Sequence, residues 1–303
     1  MARVRWRAAA LAAVTLGVAM SGAEAGSFTS GVHEGRAYRL YLPAAPAGTL
    51  VIALHGCWQT PEDFALGTRL NEAADRRGLV VLYPIQGRGD NPYRCWNWYA
   101  ADSHTAAGGE TGEILAVARH IRRERALKDP RVIALGFSAG GFMAVNLVCA
   151  EPKLITGVGV MAGGAYRCGV GAEGAIQCMR GQVGDGVTAA QACLAVTGAR
   201  ALPVRASLWH GALDSVVHAA NLSSLETMFG RAIGMASSAT ESRDGAVISV
   251  SRDGRGMPVV EAWLIRTMGH AWSGGDARGT HTYPQGPRAT DRMLDFLLDP
   301  APR

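Results

Sequence analysis

Residues 132–144 read Val-Ile-Ala-Leu-Gly-Phe-Ser-Ala-Gly-Gly-Phe-Met-Ala, and no other stretch limits the fold so strongly. A short apolar run ends in Gly136-x-Ser138-x-Gly140, and small and apolar helix formers continue to Cys149. The pattern predicts a buried strand, a sharp turn and a helix, with Ser138 at the apex. A turn this tight strains the serine backbone and lifts its hydroxyl clear of the sheet. Gly136 and Gly140 suit it because side chains there would collide with the neighbouring strand and helix. Gly-x-Ser-x-Gly alone marks many ordinary turns, so its setting carries the argument.

The rest of the chain supplies that setting. Arg36 to Leu42 alternates polar and apolar residues, as a half-exposed strand does. Leu50–Leu54 and Leu79–Tyr83 are continuous apolar runs, expected of buried strands. Further strands are predicted at 157–161, 204–209, 247–250 and 259–265. A helix is expected from Pro61 to a stop at Gly78. Ile114, Leu115, Val117, Ala118 and Ile121 form a helical stripe within 113–127. Shorter helices are expected at 188–196, 221–233 and 290–298. Gly163 to Gly186 is glycine-rich and reads as a loop, a lid or covering excursion. Strands alternating with helices predict an α/β fold with a mostly parallel central sheet flanked by helices.

Composition narrows the setting. Arg3, Arg5 and Arg7 precede an apolar run from Ala8 to Met20, and Ala23-Glu24-Ala25 suits a signal peptidase. Residues 1–25 therefore read as a cleaved signal peptide, and 26–303 as a single catalytic domain exported to the periplasm or medium. The leader is shorter than the roughly 20 apolar residues that span a bilayer, so no membrane attachment is expected. The net charge of +5 is scattered among acids, without the basic stripe that nucleic acid requires. Six cysteines in an exported chain suggest disulfides. No CxxC or HExxH occurs, so neither a metal site nor a cofactor is expected.

Active residues of a parallel sheet gather beyond the carboxyl ends of its strands. Four such loops carry polar or glycine-rich residues: His55-Gly56-Cys57, Ser138, His210-Gly211-Ala212-Leu213-Asp214 and Met268-Gly269-His270. Serine needs a base to become a nucleophile, and histidine oriented by a carboxylate is the usual one. The order Ser138, Asp214, His270 is that of the α/β-hydrolase fold. The backbone N–H groups of Ala139 and Cys57 are the expected oxyanion donors. His281 is the main rival to His270. His210 reads as a loop-orienting residue, His218 as a helix start, and His55 as a hydrogen-bonding partner of its own loop. Asp185 and Asp276 read as solvated. Gly169 to Gly174 fits GxGxxG but lacks the flanking strand and helix of a nucleotide site. The sequon Asn221-Leu222-Ser223 falls within an expected helix.

Five motifs in order resemble one family. They are Leu-His-Gly-Cys-Trp-Gln at 54–59, Cys-Trp-Asn-Trp at 95–98, Gly-Phe-Ser-Ala-Gly at 136–140, Trp-His-Gly-Ala-Leu-Asp at 209–214 and Gly-His-Ala-Trp-Ser-Gly-Gly at 269–275. Together they resemble the esterase family of extracellular polyhydroxybutyrate depolymerases, which includes feruloyl and acetylxylan esterases. The resemblance implies Ser138 as nucleophile, Asp214 as orienting acid, His270 as base and Cys57 at the oxyanion hole. It also implies a Cys57–Cys95 disulfide, leaving Cys178–Cys193 and Cys149–Cys168 as the expected further pairs. The substrate it implies is a polyhydroxybutyrate-type polyester or its oligomers, with feruloyl or acetylxylan esters as the alternative. A non-catalytic polymer-binding protein on the same fold is the reading from another class. The chain stops soon after its last expected helix, where many such depolymerases carry a linker and binding domain. That favours soluble oligomers or amorphous polyester. Trp96, Trp98 and Tyr99 are expected to pack, and Trp58 and Trp272 to contact substrate.

Overall fold

Period-two burial in the strands builds one sheet with an apolar layer on each face. The computed structural model describes residues 26–129 and 131–299; the expected leader lies outside them. The first half holds β1 (Ser27–His33), β2 (Arg36–Leu42), β3 (Leu50–Leu54), α1 (Pro61–Thr68), α2 (Leu70–Arg77), β4 (Val80–Pro84) and α3 (Gly109–Glu124). The serine motif gives β5 (Val132–Phe137) and α4 (Ala139–Ala150), followed by β6 (Ile155–Met161), α5 (Gly171–Met179) and α6 (Gly186–Thr197). Then come β7 (Arg205–Gly211), α7 (Ala220–Ile233), β8 (Ser237–Arg243), β9 (Ala246–Arg252) and β10 (Pro258–Ile265). Two short strands, β11 (Trp272–Ser273) and β12 (Thr282–Tyr283), precede α8 (Ala289–Leu298).

The sheet order is β1-β2-β4-β3-β5-β6-β7-β10-β9-β8. The run from β4 to β10 is parallel, and antiparallel strands extend both edges. This is the α/β-hydrolase arrangement. Leu50, Ile52 and Leu54 point to the layer containing α3, α4, α6 and α7. Val51 and Ala53, one residue out of phase, point to the layer of α1, α2 and α8. Ala139 to Cys149 of α4 are buried all round, as a helix laid in the middle of a core must be. Because the central strands are parallel, the loops after β3, β5, β7 and β10 share one rim.

Three expectations need correction, and two edge strands come without a sequence signal. The span 163–186 is not simply a loop, because α5 occupies its middle. Gly169 is bare where a Cβ would fall 2.4 Å from the Gly174 carbonyl carbon, so its glycines serve a tight entry into α5. The helix from Pro61 breaks in two at Arg69, which takes a left-handed φ of 55°. The edge strands β1 and β8 carry mostly exposed residues and give no apolar signal. The two further disulfides are Cys149–Cys193 and Cys168–Cys178, not Cys178–Cys193 and Cys149–Cys168. Cys149 lies in the last turn of α4, which packs against α6 carrying Cys193, and both cysteines are wholly buried. Cys168 and Cys178 face each other across the start and end of α5.

The pairing gives a direct check. The Cys149–Cys193 bond spans 44 residues, and a closed loop of that size contributes about 4 kcal/mol by the chain-entropy estimate. Peptide mapping without reduction should recover 149–193 and 168–178 cross-links. The double variant Cys149→Ala/Cys193→Ala should lose several kcal/mol in urea unfolding. A recovered 178–193 link would contradict the packing of α6 on α4.

Candidate active site

Ser138 sits at φ 55° and ψ −124°, between the last residue of β5 and the first of α4. The two motif glycines explain how the chain makes that turn. A Cβ on Gly136 would fall 2.1 Å from the Gly140 carbonyl oxygen, and one on Gly140 would fall 2.1 Å from the Leu54 carbonyl oxygen. The Ser138 N–H donates to Met161 O at 2.8 Å, fastening the turn to β6. Helix α4 then starts directly under the hydroxyl, with the Ala139 N–H in its first turn.

Two further loops reach the same hydroxyl. His270 Nε2 lies 2.9 Å from Ser138 Oγ, and its Nδ1 lies 2.7 Å from Asp214 Oδ2. Asp214 Oδ1 accepts the N–H groups of Val216 and Val217 at 2.9 and 2.8 Å. Burial pushes the Asp214 carboxyl up. The His270 hydrogen bond and charge, the Val217 N–H and His210 outweigh this and hold it below the usual carboxylate range. The aspartate loop and the histidine loop are joined to each other: Leu213 N–H donates to Met268 O at 3.0 Å. Gly211 must be glycine there, since a Cβ would fall 2.2 Å from that same carbonyl. A hydroxyl bonded to an imidazole that is bonded to a buried carboxylate is the arrangement for removing the serine proton.

The other histidines have separate places. His210 Nε2 lies 2.8 Å from Val217 O and 3.5 Å from Asp214 Oδ2. Burial lowers its pKa, so it is a neutral donor that holds the aspartate loop. His55 is wholly buried, and burial lowers its pKa to about 4. Its Nδ1 meets Gly56 O, so its Nε2 accepts the Gln86 N–H. His218 precedes α7, where its Nδ1 accepts the Ala220 N–H. Asp185 caps α6 through Thr188 N–H, and Asp276 holds the Arg278 guanidinium. Asn221 of the sequon is buried and donates to Cys178 O.

The loop after β3 rests on a polar network that its sequence does not announce. Cys57 is bonded to Cys95. The Trp96 indole donates to His55 O at 3.1 Å. Buried Glu110 accepts from Gln86 Nε2, Asn97 N–H and Asn97 Nδ2 at 2.6 to 2.8 Å. Gln86 also donates to Cys95 O and accepts from buried Arg36. These residues are scattered over some 75 positions, and Glu110 lies in a Gly-Gly-Glu-Thr-Gly stretch that resembles surface. The Cys57 N–H has no acceptor among the described residues, and Cys57 and Ser138 line the same pocket.

Two chambers meet at Ser138. One, of about 230 Å³, is walled by Trp98, Tyr99, Phe142, Ile176, Met179 and Val217. The other, of about 580 Å³, has Trp58, Tyr93, Phe137, Val216, His270 and His281 on its walls. Trp58 is 59% exposed, with its ring 5.1 Å from that of Tyr93. Trp272, expected to touch substrate, does not reach the site. It is buried edge-on against Phe64, and its indole donates to Thr290 Oγ1. Trp98 stacks on Phe142 at 4.0 Å and does reach the small chamber. Among the described residues, no cluster of three or more His, Cys, Asp or Glu has metal-holding geometry.

Comparison with known proteins follows the same lines. The family model described as esterase PHB depolymerase matches residues 36–250. Poly(3-hydroxyalkanoate) depolymerase C of Paucimonas lemoignei is 30% identical over 226 residues, covering 73% of this chain and 54% of that protein. Feruloyl esterase B of Thermothelomyces thermophilus is 30% identical over 181 residues, covering 55% of this chain and 60% of that protein. The chain thus spans about half the length of the curated relatives it matches. An acetyl xylan esterase from Aspergillus awamori shares the fold with a TM-score of 0.75 at 17% identity, covering 90% of this chain and 99% of that one.

The ionised Asp214 gives a pH-dependent prediction. Its folded pKa is depressed, so its stabilising effect is complete above the unfolded value and fades as pH falls toward the folded one. In urea unfolding, Asp214→Asn should be less stable than wild type at pH 7. That gap should shrink below about pH 4. A gap that stays constant down to pH 2.5 would contradict the ionised, paired carboxylate.

Proposed function

This chain belongs to the esterase PHB depolymerase family, and we propose that it is an exported serine esterase acting through an acyl-enzyme. Ser138 attacks the ester carbonyl while His270 takes its proton, and Asp214 steadies the imidazolium. The N–H groups of Ala139 and Cys57 hold the oxyanion, each such donor contributing roughly 3–4 kcal/mol in the transition state. His270 then delivers the proton to the departing alcohol, and water releases the acid. The observation that supports this most is the unbroken Ser138–His270–Asp214 hydrogen-bond chain, with distances of 2.9 and 2.7 Å. It also argues against the non-catalytic polymer-binding reading, which has no use for such a chain.

The two chambers follow from the proton path. The alcohol must leave beside His270, so it occupies the larger chamber, and the acyl group occupies the smaller, more apolar one. Polyhydroxybutyrate-type polyester or its oligomers are the first substrates proposed, in keeping with the depolymerase relatives. Feruloyl or acetylxylan esters are the second reading, supported by the feruloyl esterase relatives. Three disulfides suit an oxidising compartment and so support export.

The test uses the mature protein and amorphous polyhydroxybutyrate. Wild type should release 3-hydroxybutyrate or its short oligomers, and Ser138→Ala should release none above buffer while unfolding at the same temperature. Equal release by the two proteins would overturn the nucleophile. Cleavage of short p-nitrophenyl esters without polyester release would move the substrate to feruloyl, acetyl or other small esters.

A further inference from the structure

Three side chains in the larger chamber, Trp58, Tyr93 and His281, carry polar atoms that have no part in the mechanism above. His281 is exposed and lines the chamber with Ser138, His270 and Trp58. Its backbone takes a left-handed φ of 53°, uncommon for a residue other than glycine. Its ring lies 5.9 Å from Phe137 and 6.5 Å from the His270 ring. The Trp58 indole can only donate and the Tyr93 hydroxyl can donate or accept; the remaining walls are apolar or disulfide sulfur, apart from the reactive pair itself.

The neighbours of His281 fix which nitrogen carries the proton. Thr280 N–H donates to Asp63 Oδ1 at 2.9 Å, and the Thr280 hydroxyl donates to Asp63 Oδ2. With its only hydrogen committed to that carboxylate, Thr280 Oγ1 can only accept. His281 Nδ1, at 3.2 Å, is therefore the donor to it. Gln59 braces the same corner. Its Nε2 donates to Asp63 Oδ2 at 2.9 Å, and its Oε1 accepts the Gly56 N–H at 2.9 Å. The loop bearing His281 is thereby tied to the oxyanion-side loop. Burial and the nearby His270 lower the pKa of His281 and keep it neutral. Its Nε2 is then a bare acceptor, with no protein partner among the described residues.

An acceptor beside the departing alcohol selects for a donor there. We infer that His281 Nε2 accepts a hydrogen bond from a hydroxyl carried by the alcohol part of the ester, making it a specificity-determining residue. The inference rests on the serine-esterase reading and, within it, favours esters whose alcohol part carries a free hydroxyl over the polyester proposed first. The interior of a polyester offers only acceptors at this position, and a free carboxylate would face a lone pair. An alcohol without a hydroxyl displaces water from Nε2 and leaves it unpaired.

An isosteric pair of esters tests this. 2-Hydroxyethyl acetate and propyl acetate differ by hydroxyl against methyl at the relevant position. The ratio of their kcat/KM values is independent of how much enzyme is folded. In His281→Phe, which keeps a ring against Phe137, the hydroxyethyl-to-propyl ratio should fall about fivefold, the worth of one neutral hydrogen bond. His281→Gln, which keeps a carbonyl acceptor, should retain a ratio between the two. A ratio within twofold of wild type in His281→Phe would overturn the inference while leaving the esterase reading intact. No turnover of either ester by wild type would overturn this inference, whereas the esterase reading stands or falls with cleavage of polyester and p-nitrophenyl esters.

Discussion

The rim of the sheet depends on one backbone turn. Ser138 holds a left-handed φ with an extended-like ψ, a conformation that costs a non-glycine residue on the order of 1–3 kcal/mol. The surroundings over-determine it. Met161 O takes the Ser138 N–H, and the N–H groups of Gly141 and Phe142 both reach Ser138 O. Helix α4 is buried along its length, so it cannot swing away to relax the turn. Gly136 and Gly140 let the helix start against β5 and β3. Any side chain at either position would push the hydroxyl away from the imidazole it meets.

The partners of that turn arrive on separate loops, and each loop is joined to its neighbour. The Leu213–Met268 hydrogen bond joins the aspartate loop to the histidine loop, with Gly211 making room. The Cys57–Cys95 bond and the Glu110–Gln86–Asn97 network brace the proposed oxyanion loop. Gln59, Asp63 and Thr280 carry that bracing to His281. Preorganisation of this kind lets backbone dipoles stabilise charge without reorganising as it develops. In the proposed reaction, the two chambers that meet at Ser138 divide the ester into its acyl and alcohol parts.

Some of this was legible in the sequence because it is local. The strand-turn-helix at Ser138 shows as an apolar run, two glycines and a helical stretch. Asp214 and His270 show as polar residues just after buried strands. What depended on distant packing did not show. The partner of Cys149 is decided by how α6 lies against α4, and spacing along the chain carries no trace of it. Trp272 follows His270 by two residues, yet the short pairing of β11 with β12 turns its ring toward Phe64 and Thr290. Helix α5 was hidden by its glycines. It forms because Ala175 and Cys178 are buried on one side and the Cys168–Cys178 bond closes it. Glu110 and Gln86 are polar residues in unremarkable stretches, and only the tertiary fold makes them a buried pair.

The central claim is that the strained turn presents an activated serine, and covalent labelling addresses it most directly. The folded protein would be treated with a fluorophosphonate and the modified peptide identified by mass spectrometry. The account predicts one adduct, on Ser138, formed much more slowly in His270→Ala. A label on another residue, or equal labelling rates in wild type and His270→Ala, would contradict it.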